Sequence, residues 1–264
     1  MDVWRDKWAL ITGASAGIGR AFAEELAAGG THLVLTARRG DRLEQIAKSL
    51  TAKHGIRTEV CVADLIDVSA PQAIFDFTKS KGVEIDLLIN NAGFGGYGEF
   101  AVEDQQRLLD MVQVNCSAVV HLTRLYLPEM ITRKRGDILI LASTASFQGV
   151  PYISTYSATK AFDLIFAEGL AEEVKPYGVR VCALCPGSTE SEFHEVANQQ
   201  QFAAKQKQET AGKVAHAGLQ ALAAGKSYVI SGFGNYLGAH MQRLVPRRLV
   251  TRIVAGMFRP DKKK

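Results

Sequence analysis

The alternation of short apolar segments with longer amphipathic ones most constrains how this sequence can fold. Segments rich in aliphatic and β-branched residues are typical of strands: Trp8–Thr12, His32–Ala37, Thr58–Ala63, Leu87–Asn90, Asp137–Ala142, Val179–Cys185 and Tyr228–Ser231. Segments with a helical period lie between them: Ile18–Ala28, Arg42–Lys53, Pro71–Lys79, Gln105–Asn115, Ser117–Thr132 and Ala158–Val174. Because several of the strands are apolar nearly throughout, we expect a parallel sheet with helices on both faces. The pattern therefore predicts a doubly wound α/β fold.

The length and organisation of the chain favour one domain. Its 264 residues contain no internal repeat and no low-complexity linker. We therefore expect a single domain over 1–264, with a core of about 5–232 and a C-terminal helical extension of about 233–264. The formal charge is only +4, and much of the basic surplus lies at the C-terminus. The main body shows no basic stripe of the kind that binds nucleic acid, so no nucleic-acid partner is expected.

Targeting and metal-binding signals are absent from the sequence. No basic segment followed by an apolar one opens the chain, and no run approaches 18 apolar residues, so a cytoplasmic protein is expected. The cysteines are too few for a disulfide scaffold. Cys182 and Cys185 have the spacing of a redox pair, but they lie in a predicted strand rather than at a helix N-terminus, so we expect buried, reduced thiols. The histidines lack ligand spacing, and no metal site is predicted.

A glycine-rich turn follows the first predicted strand. Three glycines there allow a tight bend and a close approach to a pyrophosphate, whose charge would face the first N–H groups of a helix. Such a turn is informative only between a first strand and a first helix, which is where it lies. The residues predicted to contact a dinucleotide are Gly13, Ser15, Ala16, Gly17, Ile18 and Gly19.

The end of the second predicted strand bears on the choice of cofactor. An acidic residue at this position would bind an adenosine ribose 2′-hydroxyl, but the strand ends at Ala37 and is followed by Arg38 and Arg39. A guanidinium suits a 2′-phosphate, so NADP(H) is favoured, and Ser15 can add a hydroxyl donor. The competing interpretation is that Asp41 supplies the acid for NAD. We expect Asp41 instead to begin the next helix in a capping box with Glu44.

Polar residues follow the next two predicted strands. Asp64 and Leu65 come after the third strand, where a side chain can accept a hydrogen bond from the adenine amino group. Asn91, Ala92 and Gly93 come after the fourth, where small residues allow close packing on a cofactor. Each segment could also be an ordinary polar turn. Their shared position at the carboxyl edge of the sheet favours contact with the cofactor.

A serine, a tyrosine and a lysine in the second half of the chain suggest acid–base chemistry. Ser143 ends the fifth predicted strand, and Tyr156 and Lys160 are four residues apart, on one face of a helix. At about 4.5 Å and an effective dielectric of about 20, the ammonium stabilises a phenolate by roughly 3–4 kcal/mol. We therefore expect Lys160 to lower the pKa of Tyr156 toward the range useful for proton transfer to a carbonyl oxygen. Ser143 can donate a hydrogen bond to the same oxygen.

In order and spacing, these motifs resemble those of the short-chain dehydrogenase/reductase family. The pattern comprises Thr12–Gly19, Asn90–Gly93, Asn115, Ser143, Tyr156, Lys160 and Pro186-Gly187 and runs from about residue 5 to 232. The resemblance implies a Rossmann-type sheet of about seven strands and a Ser–Tyr–Lys centre. The segment from Asn91 to Gly98 looks most like the NADP-preferring general oxidoreductase branch, which reduces carbonyls.

The resemblance also assigns roles to residues that pattern alone does not. It implies that Asn115 helps to hold a water and the lysine, and that Lys160 binds the nicotinamide ribose hydroxyls. It implies that Pro186, Gly187, Thr189 and Ser191 contact the nicotinamide carboxamide and phosphates; a threonine is commoner than serine at the last position. A homodimer is expected, with a tetramer left open.

The substrate walls and the C-terminal extension are the least constrained parts of the sequence. Aromatic residues are expected to line the substrate side, which favours a hydrophobic ketone, aldehyde or alcohol: Phe94, Tyr97, Phe147, Tyr152 and Phe193. The extension carries apolar residues at helical spacing together with arginines. It is open to three interpretations: a helix packed on the core, a lid or dimer element over the cleft, and an interfacial helix on anionic lipid.

The sequence leaves three functional hypotheses. The first is an NADP(H)-dependent carbonyl reductase or alcohol dehydrogenase with Tyr156 as general acid/base. The second is a catalytically silent cofactor-binding protein that acts in sensing or interaction. The third is an enzyme that uses the same scaffold for dehydration or isomerisation. The complete set of Ser143, Tyr156 and Lys160 favours the first.

Overall fold

The sheet has seven parallel strands, as the alternating pattern predicts. The computed structural model of the chain describes residues 2–193, 197 and 208–260. Its strands are β1 (Trp8–Thr12), β2 (His32–Ala37), β3 (Thr58–Val62), β4 (Ile85–Asn90), β5 (Gly136–Leu141), β6 (Val179–Cys185) and β7 (Tyr228–Ile230). They are arranged in the order β3-β2-β1-β4-β5-β6-β7. The strand order reverses direction between β1 and β4, and in open α/β sheets this is the point where ligands bind.

Helices cover both faces of the sheet. They are α1 (Gly17–Ala28), α2 (Gly40–His54), α3 (Ala70–Ser80), α4 (Gln105–Val112), α5 (Ala118–Thr132), α6 (Ser154–Val174), α7 (Ala211–Ala223), α8 (Phe233–Met241) and α9 (Arg247–Phe258). The side chains of successive strand residues enter opposite layers: Leu10 of β1 belongs to one buried cluster, and its neighbours Ala9 and Ile11 belong to the other. The Rossmann-type architecture inferred from the sequence is therefore confirmed.

Two helix starts differ from the sequence-based expectations. Helix α2 begins at Gly40, one residue before Asp41, and no side chain caps it, so the expected capping box of Asp41 and Glu44 does not form. The preceding residue, Arg39, takes the capping position instead. Helix α6 begins at Ser154 rather than Ala158, which places Tyr156 in its first turn.

A hydrogen-bonded cluster closes the amino edge of the sheet. The fully buried Trp4 donates its indole N–H to Asp137 Oδ2 over 2.7 Å. Arg180 of β6 binds both oxygens of the same carboxylate, at 2.6 and 2.8 Å, and donates to the carbonyl of Ala223 at the end of α7. This cluster joins the N-terminal segment, two central strands and one covering helix.

The sequence predicts that Cys182 and Cys185 are buried thiols in a strand. Cys182 and Cys185 lie fully buried in β6, and burial raises the pKa of both thiols. The expected placement of this pair in a strand is therefore confirmed.

Over the ranges that the structure describes, no helix has both the length and the apolar character needed to cross a bilayer.

Candidate active site

A cleft of about 410 Å³ opens at the carboxyl edge of the sheet. The glycine-rich turn forms one end of it, and the residues that follow β2 and β3 form an adjoining wall. The ends of β4, β5 and β6 and the first turn of α6 form the rest. Residues from distant parts of the sequence are thus brought to one cavity by the parallel arrangement of the strands.

The glycine-rich turn leaves the N-terminus of α1 open toward the cleft. Gly13 has φ of +68°, which favours glycine, and a Cβ on Gly19 would clash with the Gly13 carbonyl oxygen. Ala16 precedes α1 with no side-chain cap, and no acidic residue lies in the first turn. The first N–H groups of the helix are therefore available to an anion, which fits the pyrophosphate of a dinucleotide.

Two polar side chains fasten this turn to the end of β4. The Thr12 hydroxyl accepts hydrogen bonds from the backbone N–H groups of Asn91 and Ala92, both at 2.9 Å, and donates to the Ile89 carbonyl. Asn91 Nδ2 donates to the Thr12 carbonyl over 2.7 Å. Asn91 thus supports the turn with its side chain, while Ala92 and Gly93 line the cleft. The role of Thr12 in fixing the turn was not predicted from the sequence.

At the predicted adenosine end of the cleft, Arg39 contacts Ser15 of the glycine-rich turn. Arg39 donates to Ser15 Oγ from Nε and Nη2, at 3.3 and 3.1 Å. Its third donor, Nη1, binds Glu192 over 2.6 Å, and Arg42 binds the other oxygen of that carboxylate, also over 2.6 Å. These contacts lower the pKa of Glu192. Arg39 and Arg42 both bind the Glu192 carboxylate. Guanidinium groups that bind a carboxylate can also bind a phosphate.

Arg38 and the residues after β3 lie next to this group. Arg38 Nη1 is 4.0 Å from Asp64 Oδ2, and both side chains are largely exposed. Asp64 Oδ1 accepts a hydrogen bond from the Ile66 N–H, which holds the turn after β3 in shape. Arg38, Asp64 and Leu65 all line the cleft.

Ser143 and Tyr156 meet at the centre of the cleft. Ser143 follows β5 with an extended backbone, and its hydroxyl accepts a hydrogen bond from the Ala145 N–H over 3.1 Å, which begins a short 3₁₀ turn. The Ser143 hydroxyl faces the phenol of Tyr156 and lowers the pKa of that phenol. The Tyr156 ring packs on Phe193, with 5.3 Å between ring centroids. The ring of Tyr156 is thus supported by Phe193 and partly exposed to the cleft.

The pKa of Tyr156 differs from the expectation drawn from its spacing to Lys160. Burial of the phenol raises this pKa, and the lowering by the Lys160 ammonium and by the Ser143 hydrogen bond does not offset it. Lys160 thus lowers the pKa of Tyr156 as expected, but burial of the phenol outweighs this lowering. A protonated phenol at this position can act as a proton donor.

Lys160 is buried and forms a close ion pair that the sequence analysis did not predict. Its ammonium donates to the Leu141 carbonyl over 2.6 Å and to Asp163 Oδ2 over 3.0 Å. Burial lowers the pKa of Lys160, but the attraction of Asp163, aided by Tyr156, offsets this and leaves the pKa raised. Asp163 is itself fully buried, and burial raises its pKa to about 6. Two of the three ammonium hydrogens are thus engaged, and Lys160 also lines the cleft.

Asn115 is positioned by an irregular helical turn. The residues Gln113–Ser117 form one turn of π-helix between α4 and α5. Asn115 Oδ1 accepts from the Phe94 N–H over 3.1 Å, and its Nδ2 donates to the Phe94 carbonyl and to Thr159 Oγ1, each over 3.0 Å. A Cβ on Gly93 would lie 3.0 Å from Asn115 Oδ1 and 3.5 Å from Lys160 Nζ. The side chain therefore connects the segment after β4 with α6 beside the lysine.

The segment after β6 folds over the glycine-rich turn. Ser191 lies against Gly17, since a Cβ on that glycine would come within 2.9 Å of the serine Cβ. The buried Thr189 pairs with Glu209 in a short parallel bridge. Pro186, Gly187, Thr189 and Ser191, which the resemblance assigns to cofactor binding, all line the cleft.

The hydrogen bonds that Glu209 forms at this end of the cleft were not predicted from the sequence. Glu209 Oε2 accepts from the Ser231 hydroxyl over 2.7 Å and from Asn235 Nδ2 over 3.3 Å. Asn235 packs against Gly187, where a Cβ would come within 2.5 Å of its Nδ2. These contacts fasten the start of the C-terminal extension to the segment after β6.

Of the five aromatic residues expected on the substrate side, two line the cleft. Phe94 and Phe193 do so, and Phe258 at the end of α9 joins them. The hydroxyl of Tyr97 donates to the Phe258 carbonyl over 3.1 Å, so Tyr97 holds the extension rather than facing the cleft.

The other two expected aromatic residues lie elsewhere. Tyr152, with φ of +68°, lines a neighbouring cavity of about 280 Å³ that also reaches Tyr156. Phe147 packs against the core and against Tyr228, with 6.4 Å between the ring centroids. Phe147 therefore does not line the cleft on the substrate side. Residues 194–196 and 198–207, which follow Phe193 in the chain, lie outside the described residues.

The chain is similar over most of its length to known oxidoreductases. Residues 7–201 match the family described as short chain dehydrogenase. A very-long-chain 3-oxoacyl-CoA reductase from Anas platyrhynchos is 37% identical over 185 residues, which cover 68% of this chain and 58% of that protein. The chain thus spans somewhat more than half the length of this curated relative.

Solved structures with both kinds of nicotinamide cofactor share the fold. A short-chain dehydrogenase from Sphingobium yanoikuyae in complex with NADPH superimposes with a TM-score of 0.83 at 27% identity, over 98% of each chain. A short-chain dehydrogenase/reductase from Burkholderia phymatum in complex with NAD gives 0.84 at 25% identity, over 92% of this chain and 95% of that one. With its sheet order, its glycine-rich turn and its matched family model, the chain belongs to the short-chain dehydrogenase/reductase family of oxidoreductases.

Proposed function

We propose that this protein is an NADP(H)-dependent reductase that converts a carbonyl on a hydrophobic substrate to the secondary alcohol. The observation that carries the proposal is the convergence of Ser143, Tyr156 and Lys160 on the same cleft as the uncapped N-terminus of α1. The N-terminus of α1 would hold the pyrophosphate of a dinucleotide, and the strand ends that line the cleft would hold the rest of it beside the phenol. When bound, the nicotinamide supplies the hydride that the carbonyl carbon accepts.

The residues of the chain supply the proton and stabilise the oxygen. Tyr156 donates its phenolic proton to the carbonyl oxygen as that oxygen gains charge, and Ser143 donates a hydrogen bond to the same oxygen. Lys160 stabilises the resulting phenolate by its charge, and its third N–H is available to cofactor ribose hydroxyls. Asn115 fixes the position of the segment beside the lysine through its bonds to Phe94 and Thr159.

The preference for NADP(H) over NAD(H) rests on the adenosine end of the cleft. Arg39 bonds to Ser15 there, no carboxylate follows directly after β2, and Arg42 adds a second guanidinium. A 2′-phosphate would gain charge-assisted hydrogen bonds from these guanidinium groups, whereas a ribose hydroxyl carries no charge and would gain only neutral hydrogen bonds. Arg39→Ala is expected to weaken NADPH binding at least about tenfold and NADH binding little, with Arg38→Ala as the matched comparison. Equal losses for the two cofactors would contradict the preference.

The substrate class that fits best is a 3-oxoacyl thioester. The similarity to very-long-chain 3-oxoacyl-CoA reductases supports this class, and the phenyl rings of Phe94, Phe193 and Phe258 offer an apolar wall for an acyl chain. The second cavity beside Tyr156 provides further space of about 280 Å³. We expect kcat/KM to rise with acyl length, because each methylene buried contributes about 0.8 kcal/mol.

The direct test follows loss of nicotinamide absorbance with NADPH and 3-oxoacyl-CoA substrates of increasing length. Tyr156→Phe is expected to lower kcat by at least about a thousandfold, since it removes the phenolic proton that faces Ser143 and Lys160. Cofactor fluorescence should show nearly unchanged NADPH binding in this variant. Tyr177→Phe, an exposed tyrosine beyond the other end of α6, is the matched control. Activity retained in Tyr156→Phe would refute the assignment, and absence of turnover on all carbonyls would favour a binding protein.

A further inference from the structure

The C-terminal extension exposes regular rows of large apolar side chains. In α8 the row consists of Phe233, Leu237 and Met241, of which Phe233 is 81% exposed. In α9 it consists of Leu249, Ile253 and Met257, which are 45%, 56% and 61% exposed. Residues four apart lie on one face of a helix, so each row is a continuous apolar ridge. Ridges of this kind on a helix surface indicate contact with something apolar.

The two faces of α9 have different roles. Val250, Val254 and Phe258, again four apart, are half-buried and face the domain, with Phe258 lining the cleft. The ridge of Leu249, Ile253 and Met257 lies on the outer face. The contact with the domain therefore leaves the outer ridge of α9 uncovered.

Basic side chains lie beside this outer ridge. At 100° per residue, Arg248, Arg252 and Arg259 project from α9 and its C-terminal end on one side of the apolar ridge. Arg243 and Arg247 lie just before and at the start of the helix, and all five arginines are exposed. An apolar ridge flanked by arginines is the pattern of a helix that lies in a membrane interface.

The charge of the extension is opposite to that of the rest of the protein. Residues 233–264 contain eight Lys and Arg and one acidic residue, Asp261. Residues 1–232 contain 23 Lys and Arg against 26 Asp and Glu, a net charge of −3. The outer face of α9 is therefore a basic, apolar surface on an otherwise acidic protein. Such a surface is attracted to anions, and two copies of it repel each other, which disfavours a dimer formed through this face.

We propose that the outer face of α9 docks the protein on the surface of an anionic lipid bilayer. The ridge of Leu249, Ile253 and Met257 enters the boundary between headgroups and acyl chains. The flanking arginines bind lipid phosphates. This docking places the mouth of the cleft at the bilayer, because the same helix contributes Phe258 to the cleft and is held there by Tyr97. The proposal concerns binding alone and does not depend on the reaction proposed above.

The test is co-flotation of the full-length protein with vesicles. Vesicles of phosphatidylglycerol mixed with phosphatidylcholine should bind the protein at least about tenfold more tightly than phosphatidylcholine alone, and high salt should weaken this binding. The double variant Leu249→Ser/Ile253→Ser should lose at least about tenfold in affinity, since it removes several methylene groups from the apolar contact. Arg248→Gln/Arg252→Gln should lose the preference for the anionic lipid.

Control substitutions outside the C-terminal extension distinguish loss of the α9 surface from a general loss of apolar or basic side chains. Val68→Ser removes a similarly exposed apolar side chain, and Arg124→Gln removes an exposed arginine from α5; both should bind vesicles like the wild type. Circular dichroism and thermal melting show whether each variant is folded. Equal binding to neutral and anionic vesicles, or unchanged binding by both double variants, would overturn the proposal. So would a dimer in light scattering that the Leu249→Ser/Ile253→Ser variant converts to monomer.

Discussion

The buried ion pair beneath the phenol leads to a prediction about pH dependence. Asp163 Oδ2 lies 3.0 Å from the Lys160 ammonium, both side chains are buried, and Asp163 Oδ1 has no hydrogen-bond partner. Asp163→Asn keeps the shape and one acceptor oxygen but removes the charge. At 3.0 Å and an effective dielectric of about 20, the lost attraction amounts to about 5.5 kcal/mol. Without it, burial dominates and the pKa of Lys160 falls.

A lowered pKa of Lys160 should appear in the pH profile of carbonyl reduction. The group keeps its proton below its pKa, so the variant should retain activity at low pH and lose it earlier as pH rises. One pH unit corresponds to about 1.4 kcal/mol. A quarter of the lost attraction therefore suffices to move the basic limb of kcat/KM down by about one unit. The measurement is kcat/KM with NADPH between mildly acidic and alkaline pH, together with the Kd for NADPH at each pH.

The other ionisable groups near this pair serve as checks. Tyr156 and Lys160 share the helix with Asp163, Cys116 approaches from the π-helical turn and Cys185 from β6; burial raises the pKa of both thiols. Neither thiol is therefore expected to titrate in the measured range. Glu172→Gln removes the same charge from the exposed end of α6 and should leave the profile unchanged. Coincident profiles and Kd values for Asp163→Asn and the wild type would refute the role of Asp163 in holding the lysine charged.

Three further predictions follow from the contacts. Glu192→Gln should tighten NADPH binding a few-fold while leaving NADH unaffected, because the carboxylate competes with a phosphate for the two arginines that it binds; unchanged fluorescence titrations would contradict this. Trp4→Phe should lower the free energy of unfolding in urea by about 1–3 kcal/mol, since it removes a donor from the buried Asp137, and it should leave kcat unchanged. Gly19→Ala should abolish NADPH binding in calorimetry because its Cβ clashes with the Gly13 carbonyl, whereas Gly234→Ala, which meets no neighbour within 4 Å, should bind normally.

The fold was predictable because its signals are local and repeated. Each strand is a short apolar run and each crossover carries a helical period, so the order of elements in the chain already implies a parallel sheet. Boundaries were less accurate where several short-range signals compete. The helix with Tyr156 begins four residues before the predicted start at Ala158, and Asp41 lies inside α2 rather than before it.

The site was only partly predictable because some of its groups act through packing. The glycine-rich turn and the Tyr156–Lys160 spacing are visible in the sequence, and the structure brings them to one cleft. The ion pair of Lys160 with Asp163 could have been predicted, because an acid three residues after a lysine lies on the same face of a helix. The contact of Glu192 with Arg39 joins segments more than 150 residues apart in the chain, and no local pattern indicates it.

The hydrogen-bonded cluster around Trp4 has a practical consequence for handling the protein. It fixes the first residues at the amino edge of the sheet, whereas the cleft opens at the carboxyl edge, a strand length or about 20 Å away. A support or a fluorescent label attached ahead of Trp4 would therefore leave substrate access unobstructed. An enzyme immobilised in this way would present its reactive side to the solution.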